Sequence, residues 1–574
     1  MKAGDRIINA LRQIDRAVRV RGLRHTLGLA LKVLWQEGPA GVRGRLDALG
    51  PALRPARPSG PRAALIVTTP HTLHFARRMA AVMSQAGWPA ELSDSDRHAR
   101  DFDLIIAFAP QNFPDLPPDR TIAFQVEPHG AWPRWGSDYP ARLARFRAVF
   151  DYSTTNIERL RAYMPLRKLY HVPFSPLAAQ AGPTERRGVL FYGDVTAARR
   201  QAMLAGLRER VPELDIETNL FGPAMAARLE RALIVVNIHA TEGAVLESAR
   251  ISEALAAGAV VVSETAPDQD DDPEMAARVT FTPEGDITAM ADALRRLLDD
   301  PATLTAMQER AATPARDRFR LGILRAMQGL DLLTPAEFET LAPDYPSPLE
   351  DQMPGVMPRL CLSLPETPAR RHGFAARQPG WPVWPGIKAD PGWRGCALSY
   401  RMMMRALRDA GTPEALIVED DAVLPADFEH ILQLARQVMD RRDADLFSGL
   451  IVDLHEDTRV LAVDQIDGIT FVTLDRAVMM MCNLYRGRMI DWLADWDDTD
   501  TNAFTNAIDR YMERATHLRV VTTLPFGATY LREAVSSLRE SENDRYDALR
   551  ARSEARLAAK LAEFRARNPD APQP

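Results

Sequence analysis

The sequence predicts an α/β protein built from two successive doubly wound units and a third, separate α/β domain. Strand-like apolar runs alternate with helix-like segments from residue 63 onward, as in open parallel sheets. This pattern restarts at Val189, after a proline-punctuated stretch. Far downstream, the apolar run 415–418 ends in the acidic triplet Glu419-Asp420-Asp421. With 574 residues, the chain is too long for a single core.

Shifts in composition divide the chain into six segments. We predict a basic helical arm with a linker, two Rossmann-like units, a proline-rich linker, an α/β domain carrying the acidic triplet, and a charged helical tail. The respective boundaries are 1–60, 61–180, 181–335, 336–357, 358–540 and 541–574.

The N-terminal arm is strongly basic. Residues 1–57 contain 12 Lys or Arg against 4 Asp or Glu, a net charge of about +8. Two interpretations stay open: a helix lying in the interface of an anionic membrane, or a helix packed on its own domain with solvated arginines. The apolar residues that recur at near-helical spacing are Ile7, Ile8, Leu11, Ile14, Val18, Leu27, Leu31 and Leu34.

The two doubly wound units are predicted element by element from apolar periodicity and turn residues. Ligands of such sheets bind at the carboxyl ends of the strands, so the loops after the strands are the expected sites. Strands are expected at 63–68, 104–108, 121–126, 149–152, 189–192, 233–238 and 259–263. Helices are expected at 73–85, 156–163, 196–210 and 250–257.

One polar loop in the first unit is a candidate for proton transfer. The segment Gln125-Val126-Glu127-Pro128-His129 follows a predicted strand and faces the expected cleft. Glu127 or His129 is therefore a candidate general base. The alternative is a polar loop cluster without a catalytic role.

In the second unit, Arg250 and Glu253 are three residues apart and so share one face of a predicted helix. The free N–H groups at the start of this helix, together with Arg250, suit a phosphate, and Glu253 can accept from ribose hydroxyls. The alternative is an ordinary surface ion pair, which contributes little.

These segments resemble the nucleotide-sugar half of GT-B fold glycosyltransferases, and most closely the spore-maturation type with one "glycosyl transferases group 1" module. The likeness rests on Phe191-Tyr192-Gly193-Asp194, on the Arg-x-x-Glu-Ala-Leu-Ala-x-Gly segment from Arg250, and on a trailing helix at about 294–311. It covers about residues 62–335. It implies a nucleotide-sugar donor held by Gly193, Arg250 and Glu253, without a metal.

The second unit departs from that resemblance at one position. Many members of the wider group have a second Glu eight residues before that of the Glu-Ala-Leu-Ala segment, and here that position is Val245. Glu242 and Glu247 are nearby but off register. Donor contact by Glu253 therefore transfers better than catalytic competence does.

The acidic triplet lies where a predicted buried strand leaves its sheet. Hard cations such as Mg²⁺ and Mn²⁺ prefer carboxylate oxygens, and Mg²⁺ commonly takes one or two protein carboxylates plus the phosphates of a substrate. A divalent cation and a substrate carrying a diphosphate are therefore indicated. The alternative is a solvated turn or a helix start.

Three ordered motifs of the C-terminal region resemble glycosyltransferase family 25, the lipopolysaccharide and collagen sugar transferases. They are the segment 360–371 ending in Arg370-Arg371, the helix start 395–400, and the strand end Glu419-Asp420-Asp421. Segments 478–485, 506–511 and 536–538 supply later parallels, the first as a strand. Two features depart from the family: Tyr400 stands where His is expected, and only residues 372–394 separate the first two motifs.

The family 25 resemblance implies a GT-A-like fold and transfer with inversion. It implies a divalent cation, Mn or Mg, at Asp421 and Asp420, with Glu419 supporting the nucleotide and Asp509 as candidate base. Arg370 and Arg371 would bind phosphate. The alternatives are a helix-start acid at 509, two exposed helix arginines, and a domain that binds without turnover.

Composition restricts the remaining classes. A net charge of −6 gives no reason to expect nucleic acid as a partner, and three cysteines indicate neither a disulfide framework nor a zinc cluster. The sequence has neither a signal peptide nor an apolar run near the roughly 20 residues of a membrane span. We therefore expect a cytoplasmic protein whose arm docks it at the inner membrane, with a solvated helix at 539–567.

The sequence thus predicts a hexosyltransferase-like glycosyltransferase with two transferase modules. It would move sugar from a nucleotide-sugar donor to a hydroxyl of a glycan or lipid-linked acceptor, for lipopolysaccharide, capsule or exopolysaccharide. One alternative is a catalytically silent scaffold that binds glycans or nucleotide sugars. Another is metal-dependent phosphoryl or sugar-phosphate transfer. No motif specifies the sugar or the acceptor.

Overall fold

The chain forms two compact units, Met1–Ala326 and Met327–Pro574. The first unit contains two parallel sheets, and the second contains a mixed sheet. The computed structural model describes residues 62–175, 185–218, 220–313, 316–345, 349, 356–536 and 542–569, together with scattered positions between 11 and 39.

The first sheet has, among the described residues, six parallel strands in the order β2-β1-β3-β4-β5-β6. Its central strands are buried along their whole length, which explains their continuous apolar runs. The strands are β1 (Ala64–Val67), β2 (Ala90–Ser93), β3 (Leu104–Phe108), β4 (Thr121–Gln125), β5 (Ala148–Asp151) and β6 (Leu169–His171). The helices are α1 (Leu73–Gln85), α2 (Tyr139–Leu143) and α3 (Thr154–Leu160).

The second sheet has five parallel strands within the described ranges, in the order β11-β10-β9-β7-β8. Helices on its faces bury separate apolar clusters. The strands are β7 (Arg187–Tyr192), β8 (Leu214–Glu217), β9 (Ala232–Asn237), β10 (Val260–Glu264) and β11 (Val279–Thr282). The helices are α4 (Ala198–Arg210), α5 (Gly222–Arg231), α6 (Ser248–Ala256), α7 (Pro273–Ala276), α8 (Ile287–Asp299), α9 (Pro301–Ala312) and α10 (Arg318–Gly329).

The trailing helix expected at 294–311 is two helices, so that expectation is corrected. The break falls at Asp300-Pro301, because proline removes an N–H donor and fits the first turn of a new helix. The Asp300 side chain accepts from the backbone N–H groups of Ala302 and Thr303, which caps α9.

Helix α10 ties the second sheet back to the first. Its Phe319 packs against Phe75 of α1 and against Phe174, with ring centroids 5.7 and 5.8 Å away, and all three rings are buried. Just before α10, Asp317 accepts from Arg78 of α1 at 2.9 Å. These contacts hold α1, which follows β1 in the chain, against the start of α10.

The C-terminal unit has a mixed sheet in the order β13-β12-β14-β19-β16-β20-β18-β17. Strand β14 runs parallel to β12 and antiparallel to β19, so the acidic triplet leaves the sheet beside the start of β19. The strands are β12 (Arg359–Ser363), β13 (Val383–Pro385), β14 (Glu414–Glu419), β16 (Leu446–Ser448), β17 (Val460–Ile466), β18 (Ile469–Leu474), β19 (Cys482–Arg486) and β20 (Val520–Leu524). A separate antiparallel pair is β15 (Ala422–Val423) with β21 (Thr529–Tyr530).

The helices of this unit surround one large apolar core. They are α11 (Pro335–Leu341), α12 (Pro368–Arg377), α13 (Gly392–Asp409), α14 (Phe428–Arg442), α15 (Gly487–Ala494), α16 (Ala503–Asn506), α17 (Ile508–Glu513) and α18 (Asp547–Arg567).

Three expectations for this region are corrected. The strand expected at 478–485 begins only at Cys482. The tail helix is not solvated on all sides, because Leu557 and Leu561 of α18 are buried in the core. The expected linker begins with α11, whose Phe338 is fully buried; part of the remaining linker and residues 537–541 lie outside the described residues.

Candidate functional site

Gly193 and Arg250 meet at the carboxyl end of β7. Gly193 has a φ of +132°, which residues with a side chain rarely adopt. A Cβ at this position would lie 2.8 Å from Nη2 of Arg250, so only glycine lets the guanidinium approach the backbone here. Arg250 Nη1 also donates to Oδ1 of Asn237, the last residue of β9, at 2.9 Å. Two predicted donor-binding residues thus lie where neighbouring parallel strands end.

Glu247 links Arg250 to a second arginine. Its carboxylate lies 2.6 Å from Nη1 of Arg250 and 2.8 Å from Nη2 of Arg200. Burial alone would raise the pKa of Glu247, but the two guanidinium charges outweigh that effect and lower the pKa. Since two cations share one anion, the cluster keeps a net positive charge, which suits a diphosphate.

Arg200 was not among the predicted site residues, and Glu247 was predicted to be off register. Glu247 directly precedes α6, and an acid at a helix start was the available signal for it. Arg200 lies among several arginines of α4, and nothing in its spacing distinguishes it from them.

Glu253, three residues further along α6 than Arg250, faces inward. The hydroxyl of Tyr192 donates to its Oε2 at 3.2 Å, and Nε2 of His74 on α1 lies 3.1 Å from its Oε1. Burial raises the pKa of Glu253 from 4.5 to about 7. Arg250 forms its ion pair with Glu247, so the surface Arg–Glu pair considered as an alternative does not describe this helix.

The loop after β4 packs against loops of the second sheet. Gly130 approaches the second sheet so closely that a Cβ there would lie 2.7 Å from Oγ1 of Thr241. Arg134 of the same loop lies 3.9 Å from Asp194, the residue after Gly193. Oε1 of Glu127 accepts from Nε2 of Gln111 at 3.0 Å. The polar loop predicted to face a cleft therefore lies against the second sheet, close to Asp194.

A pocket in the first unit is lined by residues that follow strands of both sheets. Ser153, which follows β5, donates to Asp268, which follows β10, at 2.5 Å, and Thr154 donates to Asp271. Tyr152, His171, Phe174, Leu246 and Met275 line the same hollow. This pocket could not be predicted from the sequence, because its lining residues are up to 123 positions apart.

In the C-terminal unit, Arg370 of α12 lies between two members of the acidic triplet. It pairs with Asp420 and, at 3.2 Å, with Asp421, and both carboxylates are buried. Ser363 Oγ donates to Oδ2 of Asp420 at 2.7 Å, and Asn543 Nδ2 donates to Oδ2 of Asp421 at 2.8 Å. The solvated turn considered as an alternative does not describe these buried groups.

Asp509 lies close enough to Glu419 for its negative charge to raise the pKa of Glu419. Burial is the main cause that raises the pKa of Glu419 to about 8. The negative charges of Asp421, Asp420 and Asp509 raise this pKa further, and the positive charge of Arg370 lowers it. Asp509 is in the first turn of α17. The fold thus gathers Glu419, Asp420, Asp421, Asp509 and Arg370 around the end of β14.

Two other positions of the family 25 likeness behave differently from this cluster. Arg371, the next residue on α12, is partly exposed. Tyr400 is fully buried, and its hydroxyl donates to the carbonyl oxygen of Met480 at 2.9 Å. Tyr400 therefore supports the core rather than facing a ligand.

The donor chemistry of the triplet offers one oxygen that suits a cation. Oδ1 of Asp421 is buried and has no hydrogen-bond partner among the described residues. Both oxygens of Asp420 are already engaged, by Ser363 and Arg370. Within the described ranges, no group of three or more His, Cys, Asp or Glu side chains is arranged to hold a metal ion. Asp421, with Glu419 beside it, is thus the residue best suited to a cation.

Comparisons with solved structures give weak likenesses. WaaG, a glycosyltransferase involved in lipopolysaccharide biosynthesis, is 12% identical over 47% of this chain and 99% of its own, with a TM-score of 0.34. An α-glucosyltransferase in complex with UDP and a 13-mer DNA is 9% identical over 45% of this chain and 94% of its own, with a TM-score of 0.33. Sucrose-phosphate synthase from Thermosynechococcus elongatus is 14% identical over 49% and 98%, with a TM-score of 0.30. TM-scores this low carry no argument about function.

A family model gives the firmer comparison. Residues 188–322 match a family described as "Glycosyl transferase-like", and no curated protein matches the chain by sequence. The matched segment begins in β7 and ends in α10, so it contains Gly193, Arg200, Glu247, Arg250 and Glu253. The second parallel sheet of this chain, with its cluster of charged residues, is therefore similar to a glycosyl transferase-like family.

Proposed function

We propose that the first unit is a glycosyltransferase that moves sugar from a nucleotide-sugar donor to a hydroxyl of a growing surface glycan or glycolipid. The observation that carries the proposal is the cluster of Arg200, Arg250 and Glu247 beside Gly193 at the carboxyl ends of β7 and β9. Its net positive charge suits the diphosphate of the donor. Glu253 would accept hydrogen bonds from the hydroxyl groups of the ribose. The family match over residues 188–322 supports the same reaction class.

Calorimetric titration of the full chain with UDP and GDP tests this proposal. We expect the chain to bind one of these two nucleotides, and Glu253→Ala and Arg250→Ala each to weaken that binding at least about tenfold. This factor corresponds to the loss of one or two charge-assisted hydrogen bonds. Glu209→Ala, on the exposed last turn of α4, is the matched control and should bind as the wild type does. Unaltered binding by both site variants would contradict the donor site.

A donor panel then separates an enzyme from a silent scaffold or a phosphoryl transferase. Incubation with UDP-glucose, UDP-N-acetylglucosamine and GDP-mannose without acceptor should release nucleoside diphosphate slowly, as water replaces the acceptor. A scaffold that binds nucleotide sugars would release none. Release of nucleoside monophosphate would instead indicate sugar-phosphate transfer.

The C-terminal unit is our second candidate for a transferase module, of the GT-A-like, family 25 type. The gathering of Glu419, Asp421 and Asp509 at the end of β14 supports it. Asp421 and Glu419 would hold a divalent cation, Mn or Mg, which would supply charge to neutralise a departing nucleoside diphosphate. Arg370 supplies positive charge at the same place, and Asp509 is the candidate base.

Asp421→Asn tests this second module in the full chain. We expect it to abolish metal-dependent sugar transfer by the C-terminal unit. The comparison is made in a chain that also carries Arg250→Ala, which should prevent the first unit from binding its donor. The sugar transfer that remains can then be assigned to the C-terminal unit. Turnover that is unchanged by Asp421→Asn and by a chelator would contradict this assignment.

The N-terminal arm is proposed to contact an anionic membrane surface where lipid-linked acceptors lie. Arg19 pairs with Asp96 at 3.0 Å and Asp115 at 2.6 Å, so part of the arm packs on its own unit. Large apolar side chains of the arm are nevertheless exposed: Leu11, Ile14, Leu23, Leu27, Leu31, Leu34 and Trp35. No helix among the described residues is both long and apolar enough to span a bilayer.

Flotation of the full chain with vesicles tests the arm. Vesicles with anionic phosphatidylglycerol should carry the protein with them, whereas phosphatidylcholine vesicles should not, because the arm is basic. A Leu27→Glu/Leu31→Glu variant should lose this binding. Equal binding to both vesicle types, or no loss in the variant, would contradict the proposal.

A further inference from the structure

We propose that the pocket at the start of α6 binds a sugar ring that carries hydroxyl or amino groups and no acidic group. This inference rests on the proposed glycosyltransferase function and adds to it a binding site and a class of substrate. A transferase has two sources of such a ring, the nucleotide-sugar donor and the glycan acceptor, and binding measurements distinguish them.

The walls of the pocket come from both sheets of the first unit and are tied to each other. Ser153, which caps α3, donates to Asp268 at 2.5 Å, and the backbone N–H of Leu246 donates to the same carboxylate at 2.8 Å. Arg318 of α10 pairs with Asp272 at 2.6 Å. Because these bonds join loops from four segments of the chain, the pocket is formed before a ligand arrives.

The hydroxyl of Ser248 is an unpaired polar group in the wall of this pocket. Ser248 is the first residue of α6 and is 9% exposed, yet its Oγ has no hydrogen-bond partner among the described residues. The hydroxyl does not cap α6 either, since no side chain accepts a hydrogen bond at that helix start. A buried hydroxyl without a partner destabilises a protein, so we infer that a polar group of a ligand pairs with it.

The lining residues suit a sugar ring. Phe174 and Met275 offer apolar surface to the C–H face of a ring, and aspartate oxygens accept hydrogen bonds from its hydroxyl or amino groups. Apolar walls with a few polar groups are the usual composition of a ligand pocket. Among the described residues that line the pocket, three are aspartates and none is lysine or arginine, so the lining disfavours a phosphate or an acidic sugar. The aspartates are Asp268, Asp271 and Asp272.

The pocket lies next to the residues proposed to hold the diphosphate. Leu246 and Ser248 line the pocket, and Glu247 lies between them in the chain. The carboxylate of Glu247 pairs with Arg200 at 2.8 Å and with Arg250 at 2.6 Å. Since consecutive Cα atoms are only about 3.8 Å apart, a sugar joined to that diphosphate, or a sugar that accepts transfer, lies within reach of the pocket. The two sites thus divide the substrates by charge.

Ser248→Ala in the full chain separates a hydroxyl kept for a ligand from one that supports the fold. Because Oγ of Ser248 is unpaired, its removal should leave the melting temperature of the ligand-free protein unchanged or raise it. Ser84→Ala, at an exposed position of α1, is the matched control. A lower melting temperature in Ser248→Ala than in the control would show that the hydroxyl is bonded within the protein, and would overturn the proposal.

Calorimetry then identifies the source of the ring. The nucleotide that the chain binds, UDP or GDP, is compared with its sugar ester, UDP-glucose or GDP-mannose. If the donor supplies the ring, Ser248→Ala should lower the affinity for the nucleotide sugar by about 3- to 10-fold and leave that for the free nucleotide unchanged. UDP-glucuronic acid should bind the wild type at least about tenfold more weakly than UDP-glucose does.

If the acceptor supplies the ring, Ser248→Ala should bind both the free nucleotide and the nucleotide sugar as the wild type does. The loss of about 3- to 10-fold should then appear for methyl glucoside or methyl glucosaminide, measured by saturation-transfer NMR on the nucleotide-saturated chain. Methyl glucuronoside should bind the wild type more weakly than methyl glucoside. Ser84→Ala should match the wild type for every probe.

Three results would overturn the pocket assignment while the proposed function stands, because the nucleotide is still bound. The first is unchanged binding of every probe by Ser248→Ala, which would leave a pocket that holds only water. The second is an equal loss of affinity for the free nucleotide and the nucleotide sugar. The third is equal affinity of the wild type for acidic and neutral sugars. Absence of UDP and GDP binding in the wild type would instead overturn the proposed function itself.

Discussion

Nε2 of His74 lies 3.1 Å from Oε1 of Glu253, which joins α1 of the first sheet to α6 of the second. Burial lowers the pKa of His74 to about 3 and raises that of Glu253 to about 7. At neutral pH the contact is therefore between a neutral imidazole and a carboxyl group that is partly protonated, and it is not an ion pair. Nε2 of His74 makes no hydrogen bond among the described residues, so Oε1 of Glu253 remains open to a donor group of a ligand.

This environment predicts a pH-dependent stability. Since the pKa of Glu253 is raised by folding, the native state binds a proton more tightly than the unfolded state does. Stability should be fully present below about pH 4.5 and fall as the pH rises toward about 7. Glu253→Gln should remove this loss and raise the free energy of unfolding of the first unit by about 2 kcal/mol at pH 8. This value is smaller than the full pKa shift would give, because the side chain of Glu253 is partly exposed and solvent screens its charge. Urea unfolding at pH 5 and pH 8 measures the difference.

The control for this prediction is Glu209→Gln, which should leave the pH profile as it is in the wild type. A Glu253→Gln variant with the same slope between pH 5 and pH 8 as the wild type would contradict the raised pKa.

Gly193→Ala should impair the donor site. The added methyl group would lie 2.8 Å from Nη2 of Arg250, on a backbone with φ of +132°. Because Arg250 must move, we expect UDP affinity to fall at least about tenfold and stability to fall by about 1–3 kcal/mol. Gly243→Ala also has a positive φ but has nothing within 4 Å of the added methyl group, so it should lose stability without losing UDP affinity. Calorimetry and thermal melting separate the two effects. Equal UDP affinities in both variants would argue against the placement of Arg250.

Arg370→Met should strongly destabilise the C-terminal unit. The substitution leaves Asp420 and Asp421 buried without their counter-charge, which typically costs about 3–5 kcal/mol. Adding Asp420→Asn should recover part of that loss, because it removes one of the two uncompensated charges. Arg408→Met, which breaks an exposed pair with Asp495, should cost no more than about 1 kcal/mol. Chemical denaturation of the four proteins gives this comparison, and equal losses for the two arginines would refute it.

Asp421→Asn should weaken binding of Mn²⁺ to the full chain. Oδ1 of Asp421 is the buried triplet oxygen that has no hydrogen-bond partner among the described residues, so it is the strongest candidate ligand. We expect the affinity for Mn²⁺, measured by calorimetry without substrate, to fall at least about tenfold. Asp467→Asn, in the exposed turn between β17 and β18, is the matched control. Residue 467 has a left-handed backbone, which both Asp and Asn tolerate, so this substitution should not disturb the fold. Identical titrations of wild type and Asp421→Asn would exclude this residue as a ligand.

The local sequence was sufficient for the central strands of the two parallel sheets and for several of their helices. The helix expected at 73–85 has those bounds in the structure, and so does the strand at 104–108. In the two parallel sheets, the strands that were missed are β2, β6, β8 and β11, and all four lie at the edges of their sheets. Edge strands are short and often partly exposed, so they lack the continuous apolar runs that mark central strands.

The sequence by itself determined the alternation of strands and helices. It also placed Arg250 and Glu253 on one helix and the acidic triplet at the end of one strand. These relations could be predicted because they depend on local periodicity. Only the tertiary structure decided their partners: Glu247 with Arg200, Glu253 with His74, and Arg370 with Asp420 and Asp421. Those partners come from distant segments that meet at the ends of strands. Burial and the neighbouring charges set the protonation of each group. A local sequence pattern cannot predict these surroundings, because they depend on contacts between distant segments.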